Sequence, residues 1–474
     1  MLGPIRRVHM VGIGGIGMSS IAEVLLARGY RVSGSDLRLS DTTERLASLG
    51  ATIYEGHAPE NVEGADVVVH SSAVKADDNP ETLEAKRRRI PRIRRAEMLG
   101  ELMRMKYGVG IAGTHGKTTT TTMVGLVVRE GDFDPTIIVG GKVDSFESNA
   151  VSGEGDLIVI EADEYDRTFL RLTPVLAVVT NVEIDHLDTY ADEADIQGAF
   201  VQYANSVPFF GAAIVCLDDA GVSDVLNQIQ RRIVTYGTSR QASIRAEGIV
   251  QDGPTTRFRV VHRGDLLGEV HLKAAGLHNV RNALAAVAVG LELDIDFDKI
   301  AAGLANYAGV RRRFELKGEA ADILVMDDYA HHPTEVRATL EAVAGGWPGR
   351  RIVTVFQPHL YSRTRDFQDD FARAFFNTDV LVLTDIFGAR EQPIEGVTGQ
   401  TLADLARRYG HRQVHFVQDK KNLPDYLAGL TEPGDLVLTM GAGDVWRYGE
   451  QYLRHIEGVA SDAGTSKASE VNDG

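Results

Sequence analysis

One stretch in the middle of the chain has the residue types and order to handle a phosphate chain. Residues 109–122 read VGIAGTHGKTTTTT, so a short apolar run enters Gly113-Thr114-His115-Gly116-Lys117-Thr118 and Thr119 continues into threonines and apolar residues at helical spacing. That order predicts a strand, a tight turn and a helix start, which together aim backbone N–H groups and a helix N-terminus at one anion. Glycine lets the chain curl tightly and approach phosphates closely. Lys117 brings a point charge for the β- and γ-phosphates, and the Thr118 hydroxyl is placed to hold Mg²⁺. The full Walker A pattern asks for glycine five residues before Gly116; Ile111 stands there, so the motif is a shortened G-T-x-G-K-T form.

Further polar clusters follow runs that read as strands. Residues 156–160 lead into Glu161-Ala162-Asp163-Glu164, and residues 175–180 lead into Asn181, with Asp185-His186-Leu187-Asp188 beyond. Side chains at the carboxyl ends of parallel strands line the crevice where ligands bind in open α/β sheets. Glu161 and His186 are the Mg²⁺ ligand candidates, the histidine being the less usual one for an oxygen-preferring ion. Asn279 and Asn282 open a helix rich in alanine and valine. Asn279 reads either as its N-cap or, with Asn282 on the same face, as a hydrogen-bonding partner of a nucleobase.

A second glycine motif lies near the start. A strand over 8–11 precedes Gly12-Ile13-Gly14-Gly15-Ile16-Gly17, a helical pattern over 18–28 follows, and the next strand ends at Asp36. The spacing is that of a βαβ unit seating a diphosphate on the helix, with the acid reaching a ribose hydroxyl. A strand over 65–70 then runs into Ser71-Ser72. Residues 86–95, KRRRIPRIRR, are strongly basic. They read as a solvated face and turn, or as a local field that draws in an anionic substrate; Pro91 breaks any single basic helix.

The third segment repeats the pattern. Arg311-Arg312-Arg313-Phe314 marks a junction, and a strand over 323–326 enters Asp327-Asp328-Tyr329-Ala330-His331-His332-Pro333. A strand over 352–356 enters Gln357-Pro358-His359-Leu360-Tyr361-Ser362-Arg363, and strands over 380–384 and 436–439 end in Asp385 and in Gly441-Ala442-Gly443-Asp444. From 457 the periodicity stops, which predicts a disordered tail over 457–474.

These elements must sit in a chain of 474 residues with net charge −17, 43% hydrophobic and 25% charged residues. That is a multidomain globular composition, and the acidic balance argues against nucleic acid or an anionic membrane as partner. The single cysteine, Cys216, sits in an apolar run and leaves no disulfide framework. No signal-type segment and no run of 18 apolar residues occurs, so a cytoplasmic protein without membrane insertion is expected.

The ordered series G-I-G-G-I-G-M, A-G-T-H-G-K-T-T-T-T, E-A-D-E, T-N-V-E-I-D-H-L-D, H-N-V-R-N-A, D-D-Y-A-H-H-P-T-E and F-Q-P-H-L-Y-S-R-T resembles that of the ATP-dependent Mur ligases over residues 5–455. Ser20, Tyr165 and Leu360 depart from the family pattern, where glycine, serine and, in some members, arginine stand. The resemblance implies an α/β fold of three domains: an N-terminal Rossmann-like UDP-sugar domain over 1–105, a central P-loop ATPase with a mostly parallel sheet over 106–310, and a C-terminal Rossmann-like amino-acid domain over 311–456. It makes the first diphosphate that of UDP, with Gly12, Gly14, Gly15, Gly17, Asp36, Ser71 and Ser72 around the UDP-sugar. It puts Gly113, Thr114, His115, Gly116, Lys117, Thr118, Thr119, Asn279, Asn282 and Arg313 at ATP, and Thr118, Glu161 and His186 at Mg²⁺. The implied reaction of peptidoglycan precursor synthesis joins L-alanine to the lactyl carboxylate of UDP-N-acetylmuramate through an acyl phosphate. Lys117 and His186 would serve phosphoryl transfer, and Asp328, His331 and Arg363 would orient the amino acid. Closure about residues 311–314 is expected, because ATP and amino acid sit on different domains. The rival inside the family attaches a whole tripeptide to the same sugar. Outside it, a nicotinamide oxidoreductase leaves Gly113–Thr118 without a purpose, and a P-loop switch leaves the first and third segments without one. No lysine occurs between Val143 and Leu272, so the carbamylated lysine of some relatives has no counterpart in that window.

Overall fold

Apolar runs buried on both faces set the first sheet. The computed structural model describes residues 2–143, 148–165, 167–185, 189–389 and 391–470. Strands Thr52–Glu55, Arg31–Asp36, Arg7–Val11, Val67–His70 and Arg92–Arg94 lie in that order, all parallel. Val8, Met10, Val11, Val68 and Val69 are buried in them, as a parallel sheet covered by helices requires. The helix expected over 18–28 spans Ile16–Ala27 and buries Met18, Ile21, Val24 and Leu25.

The second sheet has ten strands. Its strand Tyr107–Ala112 lies between Leu157–Glu161 and Leu176–Val179, parallel to both. The register pairs Ile111 with Glu161 and Ala112 with Val179, so both polar strand ends open beside the phosphate loop. One margin of the sheet carries Thr136–Val143 with Ser148–Val151 antiparallel to it. The other is extended by Ile244–Asp252, Thr255–His262 and Asp265–Leu272. The first two sheets share one apolar cluster, in which Leu99 and Met103 pack with Ile158, Phe169 and Tyr203.

The third sheet runs Glu315–Ala320, Ile323–Asp328, Leu436–Met440, Ile352–Phe356, Val380–Thr384 and Val414–Val417. Its first strand is antiparallel to its neighbour and the remaining pairs are parallel. The architecture is thus three-domain α/β with mostly parallel sheets, as expected. The chain groups into two compact units, Met1–Ile249 with Arg257–Leu272 and Asn279–Ala308, and Val250–Thr256 with Lys273–His278 and Gly309–Gly474. The last helix spans Trp446–Glu470. No proline interrupts that stretch, and its alanines, Lys467 and Glu470 are good helix formers. Among the described residues no helix is long and apolar enough to cross a membrane.

Candidate functional site

The phosphate loop is built by a strand that ends where glycine is obligatory. Gly113 has φ +141° and Gly116, the residue before helix Lys117–Glu130, has φ +80°; side chains at such φ are strained. The next strand end grips the loop. Thr180 Oγ1 donates to the His115 carbonyl (2.6 Å), Asn181 Nδ2 to the same oxygen (3.1 Å), and the His115 N–H to Asn181 Oδ1 (2.8 Å). Thr114 Oγ1 accepts from the Glu183 N–H (2.9 Å), and His115 Nε2 lies 3.6 Å from a Glu183 carboxylate oxygen.

Lys117 folds back over this loop. Its Nζ donates to the carbonyls of Gly113 (2.7 Å) and Thr114 (3.0 Å) and to Glu164 Oε1 (2.8 Å), and Glu164 is fully buried. Burial works against the ammonium charge, but Glu164, Asp163 and Glu161 outweigh it and hold the Lys117 pKa above its ordinary value. The Thr118 hydroxyl donates to Glu161 Oε1 (3.0 Å), whose other oxygen accepts from the Gly140 N–H (2.6 Å). Burial pushes the Glu161 carboxyl up against the opposing pull of Gly140, Lys117 and Thr118. A half-buried carboxylate beside a threonine hydroxyl is an all-oxygen donor set, so these two residues fit Mg²⁺. His186 lies outside the described residues.

Asn279 and Asn282 are buried in helix Leu277–Glu292. Asn279 sits within its first turn rather than ahead of it. Asn282 Nδ2 donates to Asn279 Oδ1 (3.3 Å), and Thr120 Oγ1 donates to Asn282 Oδ1 (3.1 Å). A Cβ on Gly116 would come within 2.7 Å of Asn282 Oδ1, so this helix abuts the phosphate loop, and Thr119 is buried beside it.

In the first domain, Gly12 (φ +79°) turns the chain, and the N–H groups of Gly12 and Ile13 both donate to the Ser35 carbonyl, at 2.8 and 3.0 Å. Asp36 Oδ2 accepts from the Gly14 N–H (2.9 Å) and Oδ1 from the Leu37 N–H (2.8 Å). The acid expected at a ribose therefore also braces the glycine loop. Gly15 and Gly17 lie at the start of helix Ile16–Ala27. Ser71 stands against Gly12, 3.2 Å from where a Cβ would be. Ser72 follows it in the turn after strand Val67–His70.

The C-terminal candidates form a separate group in the second unit. Asp328 Oδ2 accepts from the Phe314 N–H and Oδ1 from the Ala330 N–H, both at 2.7 Å. These bonds brace Arg312 and Phe314, which hold left-handed φ of +60° and +54°. His331 Nδ1 donates to the Tyr329 carbonyl (2.9 Å), and its N–H to Glu335 Oε2 (2.9 Å). Arg313 Nη1 lies 3.5 Å from Glu335 Oε1. Arg363 is buried with Nη1 3.4 Å from His359 Nδ1, and Leu360 opens its helix at φ +68°.

Burial raises the Asp328 carboxyl from 3.8 to about 6 against the opposing pull of Arg313 and the two N–H groups. A folded pKa above the unfolded one means that the native state binds this proton more tightly. The resulting stability is present below pH 3.8 and lost as pH rises through about 6. Denaturant unfolding across that window should show a falling limb that Asp328→Asn flattens. An unchanged limb would assign it to another group.

The structure thus gathers Gly113–Thr119, Glu161, Asn279 and Asn282 in one site, the Gly12–Gly17 group with Asp36 and Ser71 in a second, and Arg313, Asp328, His331 and Arg363 in the second unit. Sequence reasoning did not single out Glu164, Thr180, Asn181 or Glu335. The last acid of E-A-D-E and the T-N pair after a strand were the available signals.

Known proteins resemble this chain along its whole length. The chain matches the Mur ligase family, catalytic domain, over residues 7–107, the Mur ligase middle domain over 111–290, and the Mur ligase, glutamate ligase domain, over 312–443. It is 65% identical over 465 residues to the UDP-N-acetylmuramate–L-alanine ligase of Salinibacter ruber, covering 98% of this chain and 97% of that one. It is 54% identical over 458 residues to the enzyme of that name from Geobacter sulfurreducens, covering 96% and 99%. The crystal structure of the Thermotoga maritima UDP-N-acetylmuramate-alanine ligase superposes with a TM-score of 0.79 at 29% identity, covering 96% of this chain and 99% of that one. The chain belongs to the Mur ligase family.

Proposed function

We propose that this chain joins L-alanine to the lactyl carboxylate of UDP-N-acetylmuramate and splits ATP to ADP and phosphate, in the cytoplasm. One observation carries the ATP half: Lys117 and Thr118 stand at one phosphate loop, and the neighbouring strand end brings Glu161 to the Thr118 hydroxyl, an acid and a hydroxyl suited to Mg²⁺. The acceptor half rests on curated relatives at 54–65% identity named for the alanine reaction, which disfavours the tripeptide-attaching alternative.

A carboxylate is a poor electrophile, so it must first attack the γ-phosphate and become an acyl phosphate. Negative groups then meet, and positioned charge is what lowers that barrier. Lys117 supplies a cation, whose ammonium must turn from its loop carbonyls toward the phosphates. Gly113 and Gly116 let the loop close around the phosphate chain. Thr118 and Glu161 would hold Mg²⁺, which supplies charge neutralisation at the β- and γ-oxygens when bound. His186 remains a candidate for a second ion. Asn279 and Asn282 border the nucleotide, and Gly12–Gly17 with Asp36, Ser71 and Ser72 would seat the UDP-sugar. Arg363 and His331 would orient alanine, arginine being suited to a two-oxygen grip on its carboxylate. Asp328 would support them by holding the backbone of Phe314 and Ala330.

Phosphate release measured with UDP-N-acetylmuramate and each amino acid in turn tests this. Release should require ATP, Mg²⁺, the UDP-sugar and L-alanine together. Full-rate release without either acceptor would exclude a ligase.

A further inference from the structure

The basic run at 86–95 ends in a residue that the fold treats differently from its neighbours. Arg87 and Arg88 pair with Glu84 on their own helix. Arg95 instead lies over the first glycine motif: a Cβ built on Gly17 would fall 2.1 Å from its Nη1, 3.1 Å from its Cζ and 3.3 Å from its Cδ. Gly17 is not among the glycines of positive φ, so its missing side chain makes room for the arginine rather than for a turn. Gly17 also lies in the first turn of helix Ile16–Ala27. That end of a helix carries partial positive charge and disfavours a cation. The carboxylate that meets Arg95 is Asp163, with Nη2 and Oδ2 4.0 Å apart, an ion pair too long for a hydrogen bond. Asp163 belongs to the acidic strand end at the phosphate loop and helps hold Lys117 protonated. One guanidinium therefore stands between the glycine loop of the first domain and the acids of the second, loosely held by either.

We propose that Arg95 grips the diphosphate of the sugar nucleotide and leaves Asp163 in doing so, so that filling the first site changes the field at the second. The inference rests on the reading of Gly12–Gly17 as the diphosphate seat. A cation over a helix N-terminus is unfavourable alone and favourable with an anion between them. The arginine fork matches two phosphate oxygens, which a carboxylate at 4.0 Å does not exploit. Asp163, released, adds uncompensated negative charge beside Lys117 and Glu161. By linkage, occupancy of the phosphate loop then alters sugar-nucleotide affinity by the same factor.

The test is calorimetric titration of the full chain with UDP-N-acetylmuramate, using wild type, Arg95→Gln, Gly17→Ala and Asp163→Asn. Gly17→Ala displaces only the end of a flexible side chain, so thermal melting should match wild type. Arg95→Gln and Gly17→Ala should each weaken binding tenfold or more. Asp163→Asn should bind as tightly as wild type or a few-fold tighter, because the arginine is no longer shared. The KM for L-alanine should stay within twofold in the Arg95 and Gly17 variants. Binding within threefold of wild type in both Arg95→Gln and Gly17→Ala would overturn the inference. So would an Asp163→Asn loss equal to that of Arg95→Gln, since a pair that only braces the fold suffers equally from either side. Wild type that does not bind UDP-N-acetylmuramate at all would overturn the functional reading itself.

Discussion

Lys117→Ala should lower turnover by about 10²–10³-fold, the usual loss when one positioned stabiliser of transition-state charge is removed. Its structural setting adds a second effect. Lys117 Nζ lies 2.8 Å from the buried Glu164 carboxylate, so the alanine variant takes a cation away from an acid that has no exposure to water. Breaking a buried pair from one side typically costs about 3–5 kcal/mol. The single variant should therefore be both inactive and less stable, which confuses cause with effect. Lys117→Ala combined with Glu164→Gln separates them: the amide needs no cation, so melting should recover most of the loss while turnover does not. Turnover of the double variant within a few-fold of wild type would remove Lys117 from phosphoryl transfer.

Gly113→Ala is the second large expectation. A Cβ there would lie 1.9 Å from Thr180 Oγ1 and 3.1 Å from the Asn181 N–H nitrogen, at φ +141°. Neither neighbour can give way cheaply. Thr180 is stiff at χ1 and uses that hydroxyl on the His115 carbonyl (2.6 Å), while Asn181 N is backbone. The loop must move by roughly an ångström, a misplacement that can cost about 10² in rate. The KM for ATP should rise and turnover fall, with UDP binding to the first domain intact. An alanine variant with wild-type KM for ATP would show that the loop tolerates the shift and that its observed shape is not the working one.

The parts of this fold legible in the sequence were those where one apolar run meets one polar cluster. The strand expected over 352–356 is Ile352–Phe356, and that over 380–384 is Val380–Thr384, because parallel strands buried on both faces leave little ambiguity. The strands of 244–272 were not foreseen. In Thr255–His262 buried and exposed residues alternate at first, but the buried face includes the polar Thr256, and Val260 and Val261 are buried in succession, which blurs the contrast on which a period-two reading depends. Within the site, residues with chemistry of their own were visible: Lys117, Thr118 and Glu161. Those that act by holding others were not. Glu164 matters because it meets Lys117, and Arg95 because Gly17 leaves room for it, and both facts are set by distances between segments far apart in the chain. Asp328 was expected to help orient the amino acid; its two oxygens hold the N–H groups of Phe314 and Ala330, a use of a carboxylate that no motif announces.

The central claim is that the sugar carboxylate is activated by phosphoryl transfer on the Lys117 loop and then captured by the amine. UDP-N-acetylmuramate carrying ¹⁸O in both lactyl carboxylate oxygens tests it in a single turnover assay with ATP, Mg²⁺ and L-alanine. Attack on the γ-phosphate makes one carboxylate oxygen the bridge of an acyl phosphate, and attack by the amine expels phosphate with that oxygen. One ¹⁸O is expected in each released phosphate and one in the new amide, read by mass spectrometry. Unlabelled phosphate, with both labels still on the sugar or lost to water, would contradict it.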